Sequence, residues 1–372
     1  MNSEKSKKEL AAILTLLQVR GFGPVKFKQI YESFKSFEKI FHLSKQELIN
    51  FNFENRYLFS IELGFDKELR RKTISDELRE SFRGKKFGLS DKATVSIYNH
   101  KSYKIKDRDR EFYIKLSNGK FSVMINVACE ILFQKSKFSD NLNEADRQLQ
   151  KAKNHNAYLI TYFNDYYPPN LYLSNHCVPL LYAIGEKSIL KETKCCSVVG
   201  TRKPTAWTVK NTKIAVRKLV KNGYTIVSGL ALGTDAIAHE TAIVNNGKTI
   251  SVLGCGIDIV YPFQNEILRK KIINNGVIIS EYTFGTRVQE FMLKKRNKIT
   301  VGLSKYILIS QTSKKGGTMN AYKAAIEQKK PVGVFLPPRK LHKEFSGNFQ
   351  IINETKIPVQ KFSGGDKIDI EW

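Results

Sequence analysis

Near the start of the chain apolar residues recur at helical spacing, at Leu10, Ile13, Leu14 and Leu17 and again at Phe27, Ile30, Tyr31 and Phe34, with 21-GFGP-24 between the runs. Each set falls on one helix face, which predicts a helix, a glycine hairpin and a second helix. A third helical stretch, 43-LSKQELINF-51, opens on Ser44 with Glu47 three residues later, the spacing of a capping box. Further on the period falls to two. The stretches 93-ATVSIYNHKSYKIK-106 and 111-EFYIKLSNGKFSVMINV-127 alternate apolar and polar residues, and Asn118-Gly119 predicts a tight hairpin. The polar run 136-SKFSDNLNEADRQLQKAKNHN-156 reads as a linker or an exposed helix, and 168-PP-169 opens the main domain.

From 195 onward short, continuously apolar runs alternate with helical ones. The strand candidates are 195-CCSVVG-200, 224-YTIVSG-229, 249-TISVLG-254, 277-VIISE-281, 306-YILIS-310 and 332-VGVFL-336; helices are predicted over 208–223 and 318–330. Strands apolar throughout are those buried on both faces, so the expected fold is α/β, a Rossmann-like, doubly wound and mostly parallel sheet. Ligands of such sheets bind at the carboxyl ends of the strands. The domains expected are a helical module over 1–75, a β-rich insertion and linker over 76–157, the sheet domain over 158–340 and a tail over 341–372.

Composition narrows the partner. The chain has 372 residues, with 62 Lys and Arg against 35 Asp and Glu, a formal charge of +27. Such an excess points to a polyanion, nucleic acid first. No apolar h-region follows MNSEKSKKEL and no run of 18 apolar residues occurs, so neither a signal peptide nor a membrane span is expected, and the protein is expected in the cytoplasm. The five cysteines form no CxxC pair, which supports neither zinc nor a disulfide framework; no metal or cofactor is expected.

Four loops at strand ends carry the candidate chemistry. Glycines at strand-to-helix junctions let backbone amides approach a phosphate. They are Gly200, Thr201 and Arg202 in the first loop, Ser228, Gly229, Gly233 and Thr234 in 228-SGLALGTD-235, Gly254 and Gly256 in the third, and Gly316, Gly317 and Thr318 before the last helix. Arg202 supplies a guanidinium fork. The stretch 286-TRVQEFMLKKRNKIT-300 adds Lys294, Lys295, Arg296, Asn297 and Lys298, with Phe291 as a ring on which a base could stack. Arg202 and the Lys295-Arg296 pair are expected to grip one strand from opposite sides of the pocket mouth. In the N-terminal hairpin Gly21, Gly23 and Lys26 suit a helix-hairpin-helix phosphate contact, although such hairpins also serve packing alone. Asp235 and His239, four apart, read either as a dyad or as a capping carboxylate and a packed imidazole; Glu281 reads either as a base or as a structural carboxylate. The segment 313-SKKGGT-318 lacks the Lys-Ser/Thr pair of a Walker A loop.

The series VVGTR, IVSGLALGTDAIAH, VLGCGIDIVYPFQN, ISEY, KKRNKITVGLS and GGTMNAYKAA resembles, in order and spacing, the DNA-processing protein A family (DprA, also called Smf) across about residues 158–338. The leading helices are similar to a module that many members carry. The resemblance implies a Rossmann-like domain that binds single-stranded DNA, hands it to the RecA recombinase during natural transformation, forms a homodimer and is not known as an enzyme. It also implies that Arg202 is the first-loop arginine, that Ser228, Gly229 and Gly233 are the loop residues of the SGLAxGID motif, and that Lys295, Arg296, Asn297 and Lys298 stand for the family's RNR run. The alternative reading is a nucleotide-sensing or nucleotide-hydrolysing domain of an anti-phage defence system, with a mononucleotide in the same pocket.

Overall fold

The computed structural model describes residues 3–19, 23–51, 57–61, 94–99, 102–107, 110–117, 120–125, 131–132, 134–135, 137–338, 343–354 and 357–368. The chain forms two compact units, Met1–Arg147 and Gln148–Trp372.

In the first unit helices α1 (Ser3–Leu16), α2 (Pro24–Phe34) and α3 (Lys45–Asn50) form where the spacing placed them. Leu10, Ile13, Leu14, Phe27 and Ile30 are buried. The capping box is present: the Ser44 amide donates to Glu47 Oε2 at 2.8 Å and the Glu47 amide to Ser44 Oγ at 3.3 Å. Five antiparallel strands follow: β1 (Tyr57–Ile61), β2 (Thr94–Asn99), β3 (Ser102–Asp107), β4 (Arg110–Ser117) and β5 (Lys120–Ile125), in the order β1-β5-β4-β3-β2. Ser117 pairs with Lys120, so β4 and β5 form the expected hairpin, while Asn118 and Gly119 themselves lie outside the described residues. The stretch 93–106 holds two paired strands, β2 and β3, and β1 carried no signal of its own.

Helix α4 (Phe138–Asn154) occupies the stretch read as linker or helix. The second unit is built on β6 (Tyr158–Thr161), β7 (Leu180–Gly185), β8 (Cys195–Val199), β9 (Thr225–Ser228), β10 (Thr249–Leu253), β11 (Val277–Ser280), β12 (Tyr306–Ile309), β13 (Val332–Phe335) and β14 (Val359–Phe362). Their order is β14-β13-β12-β8-β9-β10-β11-β7-β6. The strands from β14 to β11 pair in parallel, and β7 and β6 are added antiparallel. The helices are α5 (Pro169–Leu173), α6 (Ala206–Lys221), α7 (Thr234–Val244), α8 (Glu266–Asn275), α9 (Glu290–Leu303), α10 (Met319–Glu327) and α11 (Ser346–Asn353).

The six predicted strands are all present. The residues from 343 onward correct one expectation: they are no tail, because α11 packs on the sheet, β14 extends it, and Phe345, Phe362 and Ile368 join Val198, Leu308 and Phe335 in one buried cluster. The chain lays down β8 to β11 in one direction, then returns to place β12 to β14 on the other side of β8. That reversal is the topological switch point, where strand ends diverge and leave a crevice. Among the described residues no helix is long and apolar enough to cross a membrane.

Candidate nucleic-acid interface

The crevice is held open by tight backbone contacts beneath it. After β8 the chain passes Gly200, where a Cβ would lie 2.3 Å from Ser310 Oγ and 2.5 Å from Thr234 Oγ1, so only glycine lets the ends of β8 and β12 and the start of α7 converge. The Thr201 amide donates to the Gln311 carbonyl at 2.8 Å, and Gln311 Oε1 accepts from the Thr205 amide (2.9 Å) and Thr208 Oγ1 (2.7 Å). On the other side Asn348, fully buried on α11, accepts from the Thr312 amide (2.8 Å) and donates to the Ser310 (3.1 Å) and Phe335 (2.9 Å) carbonyls. The loops after β8 and β12 are thereby fixed across a cleft of about 580 Å³. Asn348→Leu keeps the volume but leaves three backbone groups without a partner, and is expected to cost about 2 kcal/mol. A lowered urea midpoint, followed by the fluorescence of Trp207 packed on Phe335 and Phe345, checks this.

The lip of the cleft is cationic. Arg202, Lys203 and Lys294 line it, all exposed. Arg202 and Lys203 have no ion-pair partner among the described residues, whereas Lys294 is paired with Glu290 at 2.5 Å, one turn away. The turn 313–318 leads into α10, whose N-terminal dipole favours an anion. Among the described residues the Gly317 and Thr318 amides donate no hydrogen bond, and a Cβ at Gly317 would meet nothing within 4 Å, so this turn is open to a ligand.

Below the lip lies a buried charge pair. Arg296 on α9 is 6% exposed; its Nη1 donates to the Val252 carbonyl at 2.8 Å and its Nη2 lies 3.8 Å from Asp235 Oδ2. Asp235 also accepts from the Gly229 (3.1 Å) and Ala231 (3.4 Å) amides. Burial pushes the Asp235 carboxyl up, against the pull of Arg296 and these amides. Burial likewise lowers the Arg296 guanidinium, with Asp235 opposing. His239 is fully buried with Nδ1 2.7 Å from Thr249 Oγ1, and burial, reinforced by Arg296, holds its imidazole down to about 3. The geometry supports the packed imidazole for His239, whereas Asp235 does not cap its helix as expected but holds the Gly229 and Ala231 amides of the loop before it and faces Arg296. Glu281 is an ion-pair partner, with Oε2 2.6 Å from Lys295 Nζ. Among the described residues no three His, Cys, Asp or Glu side chains gather as a metal site.

The predicted residues therefore divide. Gly200, Thr201, Arg202, Lys294, Asn297, Gly316, Gly317 and Thr318 line the cleft, and Arg296 lines it from within. Arg296 was expected to be a phosphate clamp beside Lys295; instead it is committed to Val252 and Asp235, and Lys295 points its ammonium at Glu281. Lys298 is paired with Glu327 at 2.8 Å, and Phe291, 57% exposed, lies outside the cleft lining. In the loop 228-SGLALGTD-235 only Ala231 and Asp235 reach the cleft lining, and the predicted residues Ser228, Gly229, Gly233 and Thr234 support it instead. Ser228 is buried and donates to the Val198 carbonyl at 2.7 Å, and Gly229 makes room for the Arg296 guanidinium, 1.1 Å from where a Cβ would sit. Gly233, at φ 78°, and Thr234 carry the first loop: a Cβ at Gly233 would lie 2.5 Å from the Arg202 carbonyl, and the Thr234 amide donates to the Thr201 carbonyl at 3.1 Å. Gly254 and Gly256 are packed against Leu293 and Thr283 and are not themselves part of the cleft lining. In the first unit Gly21 lies outside the described residues and Gly23 precedes α2 in open space. Lys26 is buried on the same face as Ile30, so it does not present the expected cation.

Sequence reasoning missed Lys203, Thr312, Ser313 and Asn320 in the lining, and Gln311 and Asn348 beneath it. Lys203 had a signal, being adjacent to Arg202 in the same loop. Asn348 had none, since it acts from a segment read as a tail.

The doubly wound sheet with a crevice at its switch point places the chain among Rossmann-like α/β proteins. Residues 158–363 match the family described as DNA recombination-mediator protein A, and the chain belongs to that family. The Protein Smf of Synechocystis sp. is 36% identical over 182 residues, covering 48% of this chain and 46% of that protein. The DNA processing protein DprA of Streptococcus pneumoniae is 34% identical over 169 residues, covering 45% and 59%. The X-ray structure of the S. pneumoniae protein superposes with a TM-score of 0.55 at 27% identity, covering 63% of this chain and 80% of that one. The chain spans about half the length of the curated relatives it matches.

Proposed function

We propose that the switch-point cleft binds the backbone of single-stranded DNA without sequence preference, and that the protein, as a homodimer, passes this strand to a RecA-type recombinase during DNA uptake. The observation that carries the binding is the meeting of unpaired cations, Arg202 and Lys203, with the open Gly317–Thr318 amides across one cleft. These groups recognise phosphate and leave the bases unread. The names of the relatives, DNA processing proteins, support the same ligand.

Salt dependence tests it. On a single-stranded oligonucleotide each lost phosphate contact makes the slope of log affinity against log salt shallower by about 0.7, so Arg202→Ala with Lys203→Ala is expected to remove about 1.4 from the slope. Affinity should fall equally for every sequence, and the parent should prefer single strand to duplex. An unchanged slope sinks the assignment. Recombinase delivery is tested by whether the protein shortens the lag of recombinase filament formation on oligonucleotide, and the dimer by sedimentation.

The cleft volume favours a second reading, because about 580 Å³ also suits a mononucleotide. Competition separates the two. A nucleotide that displaces the oligonucleotide at far lower concentration than a dinucleotide phosphate backbone does, or that is hydrolysed with magnesium, would favour the nucleotide domain.

A further inference from the structure

We propose that the strand held in the cleft continues along the outer face of α6, where four exposed cations form a second contact surface for the backbone of single-stranded DNA. The inference rests on the cleft reading and lengthens the site it describes. Helix α6, 206-AWTVKNTKIAVRKLVK-221, carries five basic residues and no acid. Lys210, Lys213, Arg217 and Lys221 are exposed, and at about 3.6 residues per turn they fall within about a quarter turn of one another. On the opposite side Ala215, Val216 and Leu219 join Val198, Ile226 and Leu308 in the buried core. Each cation of the row is three or four residues from the next, so the row runs about 16 Å down the helix.

The row begins at the cleft. Thr205 caps α6 by accepting from the Thr208 amide at 3.2 Å, and the Arg202-Lys203 lip lies in the loop just before it. Gln311 Oε1, accepting from the Thr205 amide and Thr208 Oγ1, ties this helix start to the loop after β12, which supplies Thr312 and Ser313 to the cleft lining. Lip and row therefore share one frame, and a backbone leaving the lip past Lys203 meets Lys210 next.

A charged helix face is ordinarily a solvated one, its cations matched by acids a turn away. Helices α8 and α9 follow that rule, pairing Lys270 with Glu266 at 2.9 Å and Lys294 with Glu290. Helix α6 does not: its four outer cations form no ion pair among the described residues. Lys218, the fifth, donates to the Asp366 and Ile368 carbonyls and stands outside the row. Nearby acids leave the row unneutralised, since Asp366 is 3.8 Å from Lys367, and Glu240, exposed on the adjoining α7, pairs with none of the four. The helix dipole does not account for it either, because a cation gains there only in the last turn, and Lys210 and Lys213 lie in the first half. An acid-free row of cations fits a chain of phosphates. A duplex does not fit a crevice of about 580 Å³, so the backbone that reaches α6 from it belongs to a single strand.

The test compares oligo-deoxythymidines of about 4 and about 16 nucleotides on the full chain, spanning the site sizes of single-strand grooves. Lys210, Lys213, Arg217 and Lys221 are replaced together by Gln, and the melting temperature should match the parent's, since exposed cations contribute little to folding. The variant should bind the long oligonucleotide at least about tenfold more weakly and lose up to about 2.8 from its salt slope, four contacts at about 0.7 each. Its affinity for the short one should stay within about twofold of the parent's at about 0.15 M salt, where screening confines the loss to direct contacts. If the quadruple variant melts early, the pair Lys213→Gln, Arg217→Gln, read for half that slope, decides. Unchanged long-oligonucleotide affinity and slope overturn the proposal. An equal loss on both lengths also overturns it, because the row would then act through its field alone. So does loss of binding to anionic phospholipid vesicles with DNA affinity unchanged, which would assign the row to a membrane. Failure of the cleft reading shows separately, as short-oligonucleotide affinity untouched by Arg202→Ala with Lys203→Ala.

Discussion

Arg296→Met is expected to destabilise the sheet unit by about 3 kcal/mol at neutral pH, although this position resembles one of the family's basic residues. Its guanidinium sits under the cleft, bonded to the Val252 carbonyl and 3.8 Å from Asp235 Oδ2, with both side chains 8% exposed. Removing one partner of a buried pair leaves the other charge uncompensated, and that loss exceeds anything a surface cation contributes. The loss should shrink in acid. Without the cation, the folded Asp235 carboxyl titrates further above its unfolded value of about 3.9, so as pH falls the folded state takes up the proton first and the gap to the parent narrows. Gly229→Ala should act alike, because its Cβ would displace the guanidinium. Urea midpoints followed by Trp207 fluorescence measure both variants. A parent-like midpoint for Arg296→Met, combined with a shallower salt slope for DNA, would return Arg296 to the ligand and remove it from the framework.

The contrast between Arg296 and Arg202 shows what the sequence could and could not say. The sheet was legible because its parallel strands are buried on both faces: CCSVV, TIVS, TISVL, VIIS, YILI and VGVF are buried in nearly every position, carry no charge and hold at most two small polar residues each, and helical runs separate them. Once their order of use was guessed, the crevice at the carboxyl ends followed. β6 and β14 were not legible, since an edge strand need not be apolar throughout; β14 reads VQKF, with only Phe362 buried. The site was legible at loop level and not at residue level. A glycine at a strand end is required equally by a phosphate and by a neighbouring backbone or side chain, and the sequence does not separate the two needs. Gly317 opens into empty space, whereas Gly200, Gly229, Gly233, Gly254 and Gly256 each face a protein atom within 3 Å. A basic run has the same ambiguity: on α9 the helical turn sends Lys294 to the lip, Lys295 to Glu281 and Arg296 inward.

Below about pH 6.5 the sheet unit is expected to lose stability by up to about 1.4 kcal/mol per pH unit through His239 alone. Thr249 Oγ1 lies 2.9 Å from the Ile226 carbonyl, to which it donates, so it accepts the hydrogen of His239 Nδ1 at 2.7 Å. The imidazole is therefore neutral with its proton on Nδ1, and Nε2 is buried with no hydrogen-bond partner among the described residues. A proton there would be a second buried cation close to Arg296, and burial and that cation together hold the folded imidazole at about 3. The unfolded imidazole protonates near 6.5, so between these values the unfolded state binds the proton and the folded state refuses it. Stability is complete above the unfolded value and drains away as pH falls toward the folded one. His176, also lowered by burial, adds a smaller effect that is common to parent and variant. His239→Leu removes the titration and leaves Thr249 bonded to Ile226, so the variant should lie within about 1 kcal/mol of the parent at neutral pH. At about pH 4.5 it should be the more stable by about 2 kcal/mol. Parallel pH profiles of the urea midpoint for the two proteins would show that His239 takes up its proton in the folded state, and that the Asp235–Arg296–His239 cluster is wetter than its packing implies.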